Sequence, residues 1–425
     1  MKNINRKLHR DLDDQGKIYS LSRNYKDTSI FRLSATLNEK IEPRLLEQAV
    51  ILALEKYKVY RVKMKAGLFG YHFEENKKNP IVKKAGVENF KQLNTPENNY
   101  YLFRITYERK AIHIEIFHPL TDANGGIIFF KEILKRYLEL RHPKSVEKNI
   151  IEDEKTIVNS ENAYTKNYKH QLKHSYNPPT GYMIKGERIP DYNIALNHFN
   201  MKLEDVKGLS KEKNCTLSEL LVAMLAYSIY RGNYQNSKDK KPINICIPVD
   251  LRKYFDTKTK SNFVSYIVIS LKLKKHTNYS FDVILNKVVN EFNEKLRLIK
   301  LLETTTANGK VLNNPFVKVV PLAIKRALVI LGTFGFKRKF STTLSNIGEF
   351  KMEEQYQKYI EKFQFALSPD WSEKLRCGVV SYKQSIIMTF GTNITESNIE
   401  IKFKELLDCF KIKYTITNNG INKIT

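Results

Sequence analysis

Within residues 100–140 the apolar period changes abruptly. In YLFRITYERKAIHIEIFH apolar side chains return at every second position, as in the two strands of a hairpin, whereas GGIIFFKEILKRYLEL places them on one face at helical spacing. A hairpin feeding straight into an amphipathic helix needs a sheet with helices packed on it. An all-helical bundle and an all-β barrel are both excluded for this stretch. His118 sits at the junction, and HPLTDANGG forms the tight turn between strand and helix.

The same grammar recurs along the chain. Residues 28–38 alternate like a strand, and Pro43 opens a helix, RLLEQAVILALEKY. VYRVKMKAGLFGYHF reads as two short strands around Gly67. Residues 143–192 lose periodicity and contain Pro178-Pro179, the character of a linker or crossover. Order resumes with a strand at 192–200, a helix, a break, and a second helix capped at Thr216 or Ser218. INICIPVDLRKYF and NFVSYIVISLKL read as strands, and 280–302 as a long helix. KFSTTLSNIGEF, GVVSYKQSIIMTFGTNI and a helix at 397–410 complete the pattern. Two α/β lobes, residues 1–175 and 176–425, are the economical reading of a 425-residue chain.

The formal charge of +27 comes mostly from lysines spread over the whole length, beside heavy Asn and Ile use. Such a distribution reads as a solvated basic surface; no zinc finger, helix-turn-helix or RNP motif accompanies it, so nucleic acid is not an expected partner. The four cysteines lack metal-ligand spacing and read as free thiols of a reducing compartment. The polar N-terminus has no apolar signal core, and the most apolar stretch, 319–336, is broken by Lys325 and Arg326. That stretch is expected to be an amphipathic helix lining the interface between lobes rather than one touching lipid. A cytoplasmic location without a transmembrane segment is therefore expected. His170 and His174 are four apart, but they fall in the linker without a third ligand, so no metal is expected. No GxSxG, GxxxxGK[ST] or GxGxxG pattern supports serine hydrolysis, nucleotide hydrolysis or dinucleotide redox chemistry.

HPLTDANGG resembles the HxxxDG motif of the chloramphenicol-acetyltransferase-like superfamily, which includes condensation domains and acyl-CoA-dependent alcohol acetyltransferases. Three further segments follow in the expected order: CTLSELLVAMLAYSI resembles the family's TxxxLxA helix, IPVDLRKYF with SNFV its PVNLR…NF strand and loop, and LSNIGEF the SNxG strand of the bacterial alcohol-acetyltransferase-like branch. The resemblance implies a two-lobed α/β sandwich of mixed sheets and flanking helices, with an active-site channel between the lobes. It also implies that His118 is the general base and that Asp122 pairs with Arg252 to brace the turn, with Gly125 and Gly126 easing the chain into the helix. Ser345 and Asn346 are the candidates for an oxyanion donor. The implied reaction moves an acyl group from acyl-CoA, a co-substrate rather than a bound cofactor, to a small alcohol or amine. A free-standing condensation enzyme fed by an acyl carrier protein, or a non-catalytic scaffold, are the alternatives. Three departures stand out: Phe117 where many members carry a first histidine, Ala123 in place of the glycine after the aspartate, and no DFGWG motif.

Overall fold

The computed structural model describes residues 9–22, 28–86, 89–144, 177–250, 264–274, 277–296 and 319–421. Its first lobe opens with β1 (His9–Asp11) and α1 (Asp14–Ser22), followed by β2 (Ile30–Leu37) and α2 (Pro43–Lys56). β3 (Val62–Ala66), β4 (Tyr71–Glu75), β5 (Val82–Lys84), β6 (Phe103–Tyr107), β7 (Ala111–Phe117) and α3 (Ala123–Arg141) complete the elements before residue 145. Pro43 occupies the start of α2, where its missing N–H costs nothing, and Leu46, Ala49, Val50, Ala53 and Leu54 turn one face inward. That face and the apolar face of α3 cover one side of a five-stranded sheet.

The second lobe comprises β8 (Ala195–Lys202), α4 (Leu203–Glu212), α5 (Leu217–Ile229), β9 (Ile243–Asp250), β10 (Val264–Leu271), α6 (Phe281–Lys295) and α7 (Leu322–Lys337). After these come β11 (Thr342–Glu349), β13 (Leu375–Tyr382), β14 (Ser385–Thr392), α8 (Asn398–Cys409) and β15 (Tyr414–Asn418), while β12 (Ile360–Leu367), between β11 and β13 in the chain, returns to the first lobe. Of the two caps offered by the sequence for α5, Thr216 is the one used. Its hydroxyl accepts from the Glu219 N–H while the Glu219 carboxylate returns to Thr216, a capping box.

Among the described residues the strands form three sheets, ordered β1-β4-β3, β12-β2-β7-β6-β5 and β10-β9-β11-β13-β14-β8-β15. Both larger sheets mix parallel and antiparallel neighbours. β12 is an edge strand of the first lobe's sheet, paired antiparallel with β2 from Ile360↔Leu37 to Leu367↔Phe31. Its alternation in IEKFQFAL is plain, yet period alone does not say which sheet a strand joins.

α7 departs from expectation. No residue whose burial is described from Leu322 to Lys337 is buried, and Ile324, Leu328, Ile330, Leu331 and Phe336 are exposed. The helix does touch both lobes, Leu322 on Leu68 at one end and Phe336 edge-on to Tyr266 of β10 at the other, but between them it turns Ile324, Leu328 and Leu331 to solvent rather than into the interface. Its length and composition matched a core helix; the polar pair Lys325 and Arg326, half-buried against the protein, inverts the usual arrangement.

Candidate active site

His118 leaves the end of β7 just beyond the last sheet pairing. Its backbone N–H donates to the Ser29 carbonyl at 3.0 Å, and Leu120 N–H closes the turn onto the Phe117 carbonyl at 2.9 Å. The imidazole is half-buried, stacked on Tyr19 with centroids 4.3 Å apart and edge-on to Phe31 at 5.6 Å. Two aromatic rings thus fix the plane of the histidine at the strand end.

Asp122 is buried and caps α3: its Oδ1 accepts from the Gly125 N–H at 3.0 Å. The carboxylate stands at the positive end of the helix dipole, where a negative charge is favoured. Tyr60 braces the same turn by donating from its hydroxyl to the Gly125 carbonyl at 2.9 Å. Burial pushes the Tyr60 phenol well above its ordinary pKa, so it remains a donor. Gly126 is a packing requirement: a Cβ there would lie 2.9 Å from Ile116 Cδ1 and 3.0 Å from the Phe31 ring. The sheet and the first turn of α3 therefore touch, which carries the turn beside β7 and β2.

The turn also meets the second lobe. Asn124 Nδ2 donates to Asp250 Oδ2, at the end of β9, at 2.9 Å. The two segments that sequence reasoning paired are thus joined, through Asn124 and Asp250. Arg252, expected to pair with Asp122, lies outside the described residues, as do His170 and His174. Asn124 and Asp250 both sit inside the matched motifs, but as short polar side chains they carry no signature that marks them as the link, whereas the longer, charged Arg252 does.

Tyr19 could not have been found that way. It belongs to α1, a segment with no catalytic pattern. Asp13 caps α1 by accepting from the Gly16 N–H at 2.7 Å, and Gly16 lets its backbone approach the Pro119 carbonyl, 3.0 Å from where a Cβ would stand. Gln15 in turn donates from Nε2 to the Val264 carbonyl of β10. α1 therefore bridges the His118 turn and the second lobe.

Ser345 and Asn346 lie half-buried on β11 opposite Gly378 and Val379 of β13. Asn346 Oδ1 accepts from the Gly348 N–H at 2.9 Å, and its Nδ2 reaches Ser218 Oγ at 3.5 Å. These bonds tie β11 to the start of α5 and shape the strand where Gly348 adopts φ +75°. Elsewhere, a cavity of about 230 Å³ is lined by Thr28, Asn89, Arg188, Ser368 and Asn393. It abuts β2 near its start and does not include His118. The described residues contain no group of three or more His, Cys, Asp or Glu able to hold a metal.

This two-lobed architecture is a fold shared with solved acetyltransferases and condensation domains. Among solved structures, the chain resembles TRI101 of F. graminearum, complexed with coenzyme A and deoxynivalenol, over 96% of its own length and 99% of that chain, with a TM-score of 0.64 at 12% identity. The trichothecene 15-O-acetyltransferase TRI3 of Fusarium sporotrichioides aligns over 95% of each chain (TM-score 0.63, 10% identity). Polyketide synthase associated protein 5 from Mycobacterium tuberculosis aligns over 94% of this chain and 96% of its own (TM-score 0.62, 13% identity). No protein-family model and no curated protein sequence matches the chain.

Proposed function

We propose that the chain is an acyltransferase in which His118 takes the proton from an alcohol or amine as it attacks a thioester carbonyl. The observation that carries this reading is the placement of His118. It stands at the end of β7, gripped by Tyr19 and Phe31, above a turn braced by Asp122, Tyr60 and the Asn124–Asp250 bond between lobes. A neutral imidazole is suited to general-base work near neutral pH. Holding acceptor and thioester together would supply much of the remaining acceleration. Asp122 acts as a positioning residue for this turn, and Arg252 is its expected partner.

Acyl-CoA is the proposed donor: TRI101, of the same fold, was solved with coenzyme A, and a net charge of +27 favours approach of the phosphorylated carrier. Ser345 and Asn346 are the proposed oxyanion donors of β11; the Asn346 oxygen accepts from Gly348, which turns its Nδ2 with its two N–H groups to the other side. A donor on an acyl carrier protein is the second reading, supported by likeness to the starter condensation domain of rhizomide synthetase (TM-score 0.60).

The test is free-thiol release from acetyl-CoA and longer acyl-CoAs with a panel of alcohols and amines, beside His118→Ala. Acceptor-dependent release lost in the variant supports the reading. A folded protein that releases thiol from no acyl-CoA, yet deacylates a loaded carrier protein, moves the donor to the carrier. Equal release by His118→Ala refutes the role of the histidine.

A further inference from the structure

We infer that α7 and the tip of the β3–β4 hairpin form a docking surface for an anionic lipid bilayer. α7 is inside-out: Ile324 is 55% exposed, Leu328 60% and Leu331 72%, spaced along one side of the helix, whereas Lys325 and Arg326 lean toward the protein. The hairpin tip extends the same surface, with Leu68 72% and Phe69 48% exposed. Tip and helix are held together, since the Leu322 N–H donates to the Leu68 carbonyl at 2.9 Å and Lys325 Nζ to the Phe69 carbonyl at 2.6 Å. The apolar side chains therefore come from two elements fixed to one another, larger than the scattered exposed leucines of an ordinary surface.

Charge selects the occupant. Residues 319–348 carry Lys325, Arg326, Lys337, Arg338 and Lys339 and no acidic residue, within a chain of net charge +27. A second copy of the chain packed face to face would bring these cations together and is disfavoured. A bilayer with acidic headgroups satisfies both features at once: the apolar side chains enter the acyl boundary while the exposed Arg338 at the end of α7 and the net positive charge of the chain meet the phosphates, Lys325 and Lys337 being turned onto the Phe69 carbonyl and Asp370 instead. No described helix is long and apolar enough to cross a membrane, so the contact is a surface one. α7 also packs on α1, the helix whose Tyr19 covers His118. Docking would set the bilayer one helix away from the candidate active site.

The experiment is flotation of the full chain with vesicles of phosphatidylcholine alone or of three parts phosphatidylcholine to one part phosphatidylglycerol. Binding is expected to the mixed vesicles, to weaken with salt, and to be far weaker for phosphatidylcholine. The charge-neutral double variant Leu328→Ser with Leu331→Ser is expected to lower partitioning roughly tenfold or more, with Leu68→Ser and Phe69→Ser as an independent pair. All four side chains are exposed, so circular dichroism should be unchanged. Failure of the native chain to float, or equal flotation of folded variants, overturns the inference. So does self-association that the Leu328/Leu331 variant abolishes while vesicles stay unbound, which would make the face a subunit contact.

Discussion

Glu400 offers a quantitative test of the second lobe's packing. It lies on α8, 1% exposed, with the Asn197 amide at 3.5 Å as its hydrogen-bonding neighbour. Burial pushes its carboxyl from 4.5 up to about 7. That rise corresponds to about 3 kcal/mol between the two protonation states. The sign follows from linkage: the fold prefers the protonated acid, so the stabilisation is complete below the unfolded value of 4.5 and is lost as pH rises to about 7. Glu400→Gln keeps the shape and removes the proton equilibrium. Denaturant melts of both proteins across this range should show little difference at the acid end. The variant should gain steadily with pH, becoming more stable by about 3 kcal/mol on the neutral plateau. A pH-independent difference, or a variant less stable on the alkaline side, would refute the reasoning.

His118→Ala should lower acyl-transfer turnover by roughly two to four orders of magnitude, as judged by thiol release, while losing only the ring contacts with Tyr19 and Phe31, about 1 kcal/mol and a melting temperature lowered by a few degrees in calorimetry. Asp122→Ala removes the cap of α3 and should cost about 1 kcal/mol more than Asp122→Asn, whose amide oxygen can still accept from Gly125. Both variants should lose turnover through displacement of the turn, and native turnover with an unshifted His118 in Asp122→Asn would sink the positioning role. Asn124→Ala removes the bond to Asp250 and should cost about 1 kcal/mol, seen as faster amide exchange in the first turn of α3 and at the end of β9. Unchanged exchange at both places would show that this bond does not join the lobes.

The parts of the fold governed by period and by local capping were readable from the chain. β6 and β7, the step into α3, and the capped start of α5 each follow from residues within one turn of the feature they dictate. What could not be read was pairing over distance. Nothing local in IEKFQFAL directs it to β2, and nothing local in DQGKIYSLS places Tyr19 against His118. The inversion of α7 was hidden for a related reason: a helix with apolar and basic residues shows two faces in sequence but not which one the protein meets. At the site, the motif located His118 and Asp122, while the observed link between lobes runs through Asn124 and Asp250, polar residues that carry no distinctive signature.

The pairing of β12 with β2 has a consequence for biosynthesis. β2 ends at Leu37 and its partner begins at Ile360, so ribosomes must add more than three hundred residues before the first lobe's sheet can acquire its edge strand. At ordinary elongation rates that is on the order of 15 to 65 s during which one side of β2 presents unpaired amides and carbonyls. A nascent chain in that interval is open to adventitious strand pairing, and a gene fragment ending before residue 360 would leave the same edge permanently bare. Residues 360–367 act as a late seal: the sheet that leads into the candidate base is completed only once the ribosome has passed residue 367.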